Sequence, residues 1–213
     1  MRDSKVGVFH YINLACWDEF YEIFKEYPSE KSYVYCDSIS MKLLFRNFGF
    51  QEMRHRTGSS ETDYLLERKL DNKLTVLSAF YISFFGDDQI VLEDNLVDLD
   101  LCAASLSGII PEGNSVFIGI SSPKQNFLAI KISELRPDLE IFCLGAVIST
   151  FVHKADVEEM SSQSNTGLEW LVHLKRDPIR FVKKIRLMVV AIFKIFFFDK
   201  ERFLEFGRLL ERN

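Results

Sequence analysis

Val116-Phe-Ile-Gly-Ile120 runs into Ser121-Ser-Pro-Lys-Gln125, and a helical pattern follows over 126–135. The first piece is an apolar run of strand length, and it ends in small residues. A strand that turns into a helix in this way presents the helix's first backbone N–H groups at its tip. An anionic or sugar-bearing ligand is expected there, with Lys124 and Gln125 facing it.

The rest of the chain repeats the alternation. Residues 6–9 read as a short strand, and 14–27 have helical spacing (Leu14, Trp17, Phe20, Tyr21, Phe24) that stops at Pro28. Tyr33-Val-Tyr-Cys36 is strand-like, and Asp37-Ser38 supplies a cap for a helix over 39–48 that Gly49 closes. Thr57-Gly-Ser-Ser60 reads as a turn before a helix over 61–70, and a strand begins at Leu74. Segments 90–92 and 97–99 read as strands, 101–109 as a helix, and 140–144 as a strand after Arg136-Pro-Asp138. Short apolar strands alternating with helices predict an α/β fold: a mainly parallel, Rossmann-like sheet with helices on both faces, plus a helical C-terminal appendage. Such sheets bind ligands beyond the carboxyl ends of their strands. The polar stretch 153–166 places the boundary between a core over 1–152 and the appendage over 153–213.

The bulk numbers narrow the function classes. With 213 residues, 47% of them hydrophobic and 20 of them Phe, the chain can bury a sizeable core. The net charge of −5 is unevenly spread: residues 175–213 hold 11 Lys and Arg against 5 Asp and Glu, a net +6, which leaves −11 on the remainder. An acidic body with a basic tail does not fit a nucleic-acid binder; it fits a tail that touches a phosphate or a lipid headgroup. Cys16, Cys36, Cys102 and Cys143 are far apart, without metal-ligand spacing, and read as thiols in a reducing cytosol. The N-terminus lacks the apolar core of a signal peptide, and the longest apolar run, 187–198, is too short to span a bilayer. The expected location is therefore cytoplasmic. His10, His55 and His153 stand alone and read as structural or surface residues, and no Walker loop, nucleophile elbow or dinucleotide fingerprint is present.

Three segments, in order, resemble the WecG/TagA/CpsF glycosyltransferases. Gly119-Ile-Ser-Ser-Pro-Lys-Gln-Asn126 is similar to that family's Gly-x-Gly-x-Pro-Lys-Gln-Glu segment. Gly167-Leu-Glu-Trp-Leu171, followed by Asp177-Pro-Ile-Arg180, looks like its Gly-Leu-Glu-Trp-Leu and acid-Pro stretch. Cys36-Asp-Ser38 followed by Thr57-Gly-Ser59 is similar to its Pro-Asp-Gly and Thr-Gly-Ser-Asp. The chain departs from the pattern at Ser121, Asn126 and Ser149, where the family has Gly, Glu and Asp, and its Gly-Gly turn is replaced by Leu77-Ser-Ala-Phe80.

The resemblance implies an inverting transfer of a hexose or N-acetylhexosamine-type sugar from a UDP-sugar to a polyprenyl-diphosphate-linked acceptor, in cell-surface polysaccharide synthesis. It implies Asp37 as the base, unless that residue merely caps the following helix. It also implies substrate contacts from Thr57, Gly58, Lys124 and Gln125, and appendage groups His173, Arg180 and Lys183 closing over the diphosphate. No cofactor or metal is expected: Asp98-Leu-Asp100 reads as a solvated edge, and Arg or Lys would stand in for a metal at the phosphate.

On a helix, Arg176, Arg180, Lys183 and Lys194 lie within about 60° of one another. The apolar run 187–198 lies beside them. This pattern resembles an interfacial helix on the inner face of the cell membrane; burial in a homo-oligomer also explains the run. Two alternatives to transfer stay open, namely a catalytically degenerate family member that binds a nucleotide sugar, and a membrane-surface scaffold.

Overall fold

Six strands, β1 (Gly7–Ile12), β2 (Ser32–Cys36), β3 (Leu74–Ser78), β4 (Gln89–Val91), β5 (Ser115–Gly119) and β6 (Glu140–Cys143), form one sheet in the order β2-β1-β6-β5-β3-β4. Every neighbouring pair is parallel. Helices α1 (Trp17–Glu26), α2 (Ile39–Asn47), α3 (Thr62–Leu70), α4 (Leu99–Ile109) and α5 (Lys124–Leu135) surround it, and α6 (Pro178–Phe197) and α7 (Lys200–Glu211) follow. The computed structural model describes residues 6–27, 31–92, 98–145, 147, 148, 151 and 178–211. His173, Ser149 and the Gly167-Leu-Glu-Trp-Leu171 segment lie outside these residues, as does the side chain of Arg180.

The sheet is buried on both sides, which is why its strands read as continuous apolar runs instead of alternating ones. All six residues of β1 and all five of β3 are buried. Part of the excess of Phe is explained by one row across four strands. The register pairs Phe9 with Tyr33 and with Phe142, and Phe142 with Phe117. Their rings stack at 4.9, 4.5 and 4.8 Å, which matches the strand spacing. Each such pair adds about 0.5–1.5 kcal/mol beyond the burial of its area.

Helices α4 and α5 cover one face, where Leu106, Leu128 and Ile132 meet Val116, Ile118 and Ile141. Helix α3 and the 79–85 loop cover the other, where Leu65, Ile82 and Phe85 meet Val76, Phe117 and Phe142. The C-terminal helices share a third cluster with α1 and α2: Phe203 stacks on Phe45 at 4.7 Å and meets Trp17 edge-on at 5.2 Å. Tyr21 donates to Glu205 at 2.8 Å, and Arg202 pairs with Glu22. Beyond the polar stretch, then, the chain returns to the core through α7.

Element boundaries depart from the sequence reading in places with a local cause. The helix expected over 14–27 opens as a 3-10 turn, Leu14–Cys16, because Asn13 accepts from the Ala15 N–H at 3.0 Å before α1 begins. Of the strand expected over 97–99, residue 97 lies outside the described residues, and the rest opens α4: the Asp98 carboxylate accepts from the Leu101 N–H at 3.0 Å and caps the helix that begins at Leu99. Asp100 pairs with Lys131 at 3.1 Å, and the described residues hold no cluster suited to a metal.

Candidate functional site

The carboxyl ends of the strands bring Asp37, the Thr57–Gly58 turn and Gln125 to one edge. Asp37 follows β2, and its N–H donates to the Ile12 carbonyl at the end of β1 at 2.7 Å. Its Oδ1 accepts from the Gly58 N–H at 3.0 Å. The cap of the following helix is Ser38, not Asp37: Ser38 Oγ accepts from the Met41 N–H at 3.3 Å. The half-buried carboxylate is thereby released from helix capping and faces the Thr57–Gly58 turn.

That turn is braced from below. Arg56 holds the fully buried Glu61 with a two-pronged grip, its second nitrogen 3.0 Å from Oε2. Thr57 Oγ1 lies 2.9 Å from Ser59 Oγ, and Thr62 donates to the Ser59 carbonyl at 2.7 Å. Gly58 packs closely there: a Cβ would lie 3.3 Å from the Val147 side chain, a tight contact, and 3.7 Å from the Leu144 carbonyl oxygen. The turn therefore abuts the segment that leaves β6.

Gln125 holds that same segment. Its Oε1 accepts from the Gly145 N–H at 2.9 Å, and its Nε2 donates to Ser122 Oγ at 2.9 Å. Gly145 takes φ +55°, a conformation that side-chain-bearing residues rarely adopt. Ser122 donates onward to Asn126 Oδ1 at 3.1 Å, and Asn126 Nδ2 lies 2.9 Å from His10 Nδ1. With Nδ1 accepting, the His10 proton sits on Nε2, which has no hydrogen-bond partner among the described residues. Burial pushes the imidazole down to about 3, so it stays neutral near physiological pH.

These contacts correct one expectation. The N–H groups of Gln125, Asn126 and Phe127 are taken by the carbonyls of Ser121 and Pro123 at 3.2, 3.0 and 3.3 Å, so they are not presented to a ligand. Pro123 stands just before the first helical residue, Lys124. Gln125 is only 4% exposed and turned inward, whereas Lys124 is exposed at the helix start.

The same edge holds groups the sequence reading passed over. Asp18 and Glu19 open α1, and desolvation together with the hydrogen bond to Asp18 pushes the Glu19 carboxyl up to about 7. Lys194 of α6 acts on both carboxylates in the opposite sense, favouring their charge. Cys36, next to Asp37, is buried with its thiol pushed up to about 12 and so is no nucleophile. Arg56 and Glu61 lie five apart in a loop, a spacing with no periodic signature. His10 did leave a sign, since a polar residue in the middle of a fully buried strand needs a partner.

Along α6 the inward side chains are Ala191 and Ile195, with Met188 and Ile192 partly buried against the same cluster. Val182, Leu187, Val189, Val190, Phe193 and Phe197 are exposed, together with Lys183, Arg186 and Lys194. No described helix is long and apolar enough to cross a membrane.

The sheet order and the shared carboxyl edge define a parallel α/β protein of Rossmann-like architecture with a helical C-terminal extension. Comparison of the chain with protein-family models, curated proteins and solved structures finds no match.

Proposed function

We propose that the chain is an inverting glycosyltransferase. It moves a hexose or N-acetylhexosamine-type sugar from a UDP-sugar to a polyprenyl-diphosphate-linked acceptor, working peripherally on the inner face of the cell membrane in cell-surface polysaccharide synthesis. The observation that carries this reading is the Asp37–Gly58 hydrogen bond at 3.0 Å, beside the β6 exit that Gln125 fixes. Residues from two of the three motif segments, Asp37 with Gly58 and Gln125, lie at the edge where parallel sheets take their ligands.

In this reaction Asp37 takes the proton of the acceptor hydroxyl. The acceptor oxygen attacks the anomeric carbon from the face opposite the diphosphate, and the old C–O bond breaks with its electron pair on the diphosphate oxygen. That departing charge calls for cations. Lys124 is exposed at the α5 start, and Lys183 is exposed on α6. Arg180 and His173 complete the set in this reading. The exposed apolar residues of α6, with cations and no acid along the helix, suit an anionic lipid surface. A panel of UDP-sugars scored by melting shift, then transfer to a synthetic lipid diphosphate acceptor, tests the proposal. A melting shift with one UDP-sugar and product with inverted configuration are expected; no shift with any of them overturns it.

A second reading is a nucleotide-sugar-binding protein without turnover. It is favoured by Asn126, which stands where the resemblance expects Glu and is spent on buried His10. Binding of a UDP-sugar with neither transfer nor donor hydrolysis would select it.

A further inference from the structure

The connections leaving β3 and β5 go to opposite faces of the sheet. The 79–85 loop follows β3 and sends Ile82 and Phe85 into the cluster under α3, whereas α5 follows β5 and joins the cluster with α4. The two strands are neighbours, with Ser78 paired to Gly119, so the chain changes sides between their carboxyl ends, where Ile148 of the β6 exit packs against Gly119. Such a reversal is where open α/β sheets take ligands.

Two exposed segments flank this reversal point, and they differ in chemistry. One is the Ser121–Lys124 turn, with both of those residues exposed. The other is aromatic: Phe80 is 45% and Tyr81 64% exposed. Large aromatic side chains in such positions call for an explanation, because the loop that carries them is firmly held. Gln89 Nε2 donates to the Phe80 carbonyl at 2.6 Å, and Gln89 Oε1 accepts from the Ile82 N–H at 2.8 Å. Phe85 packs on Phe151 at 5.1 Å, and Lys69 donates to the Phe85 carbonyl at 3.3 Å. The backbone is clamped and Ile82 and Phe85 are sunk in the core, while the neighbouring rings project outward.

We infer that Phe80 and Tyr81 form a stacking platform for the base of a nucleotide whose phosphates lie toward Lys124. This rests on the glycosyltransferase reading and names the part of the site that selects a nucleotide over a bare diphosphate. A fixed aromatic face attracts a planar base, and a cation at the start of α5, beside the neighbouring strand end, attracts the phosphates. By strand spacing, the β3 end lies about 19 Å across the sheet from the β2 end, four strand intervals away. An extended nucleotide sugar laid along the edge then has its base at Phe80 and Tyr81 and its sugar toward Asp37.

The test is calorimetric titration of the full chain with UDP and, separately, with inorganic pyrophosphate. The expected result is that Tyr81→Ala and the Phe80→Ala/Tyr81→Ala pair weaken UDP roughly tenfold or more, as the loss of one stacked base implies. Pyrophosphate binding is unchanged in both variants, and Lys124→Ala weakens both ligands. Equal UDP affinity in the wild type and the double variant overturns the platform and leaves the phosphate site standing. So does a wild type that binds UDP no better than pyrophosphate. A wild type that binds neither overturns the glycosyltransferase reading and the platform with it. Retained far-UV dichroism and melting temperature identify variants that fold, as Tyr81's exposure leads us to expect.

Discussion

Asp37 and Gly58 are 21 residues apart in sequence, yet the carboxylate of one accepts the backbone N–H of the other at 3.0 Å. The contact separates two roles of Asp37 that one substitution would confuse. Asn keeps an oxygen at the Oδ1 position and so keeps the bond to Gly58, but it cannot take a proton from an acceptor hydroxyl. Ala loses both. Asp37→Asn should abolish transfer with little change in melting temperature. Asp37→Ala should in addition cost about 1–3 kcal/mol, because a partly buried N–H is left unpaired. Turnover and urea unfolding of the two variants check this; full turnover in Asp37→Asn removes Asp37 as the base.

His10 makes stability depend on pH. Its imidazole is held down to about 3 in the folded chain, against an ordinary value of 6.5. The unfolded chain therefore binds this proton first as the pH falls. The stabilisation is full above about 6.5 and is lost progressively toward 3, at up to roughly 1.4 kcal/mol per pH unit. His10→Gln retains an acceptor for Asn126 and does not titrate in this range. Unfolding free energies measured between pH 7 and 4 should fall more steeply for the wild type than for this variant; parallel slopes would show that His10 does not report the difference.

How far the sequence announced this arrangement depends on the kind of signal involved. The parallel sheet was legible because burial on both faces imprints unbroken apolar runs, as at β5, and α5 ends at Leu135, where the helical pattern over 126–135 ends, though it begins two residues earlier, at Lys124. The β3 to β4 connection was not legible: it contains only the short turn Gly86–Asp88 and is held by the Gln89 side chain, a contact without periodicity. Asp37 and Gly58 were singled out, but the bond between them follows from the β2 exit and the 57–58 turn meeting in space. The strand-to-helix turn predicts that Gln125, at the helix start, faces a ligand at the tip. The return of the β6 exit across that start buries it, which no local pattern encodes. The inward face of α7 shows the same thing: Phe203, Phe206 and Leu210 follow helical spacing, but their partners Phe45 and Phe50 lie far away in sequence.

The brace under the Thr57–Gly58 turn predicts an asymmetry. Glu61 is fully buried, while Arg56 is 30% exposed. Arg56→Ala strips a buried carboxylate of its guanidinium and should cost about 3–5 kcal/mol. Glu61→Ala leaves a cation that water can reach, and should cost less. The order of the two midpoints in urea decides the point, and Arg56→Ala at least as stable as Glu61→Ala would contradict it.

Gly207 sits on the inner face of α7, where a Cβ would lie 2.3 Å from the Phe50 ring. Two effects oppose each other in Gly207→Ala. Ala gains about 1 kcal/mol in a helix interior. Overpacking a tight core costs about 1–3 kcal/mol. Phe50 is buried among Phe45 and Phe206, so its ring has little freedom to move aside, and overpacking should win. A lower melting temperature for Gly207→Ala is expected; a higher one would mean that α7 can shift outward without loss.

Membrane attachment through α6 is best tested without truncating the chain, because α7 contributes Phe203, Phe206 and Leu210 to the core cluster with α1 and α2. Removing the tail would unfold that cluster, and lost flotation would then say nothing about lipid. Substitutions on the outward face avoid this. Phe193→Ser with Phe197→Ser removes apolar surface from residues that are 53% and 68% exposed. Lys183→Glu with Arg186→Glu reverses two outward charges and leaves the apolar residues in place. On vesicles containing anionic lipid, the wild type should float, and each pair should reduce flotation while the melting temperature holds. The charge pair should lose its effect on uncharged vesicles or at high salt, where screening removes the attraction. A wild type that stays with the protein pellet on both vesicle types, and sediments as a dimer that the Phe pair dissociates, would assign this face to a second copy of the chain.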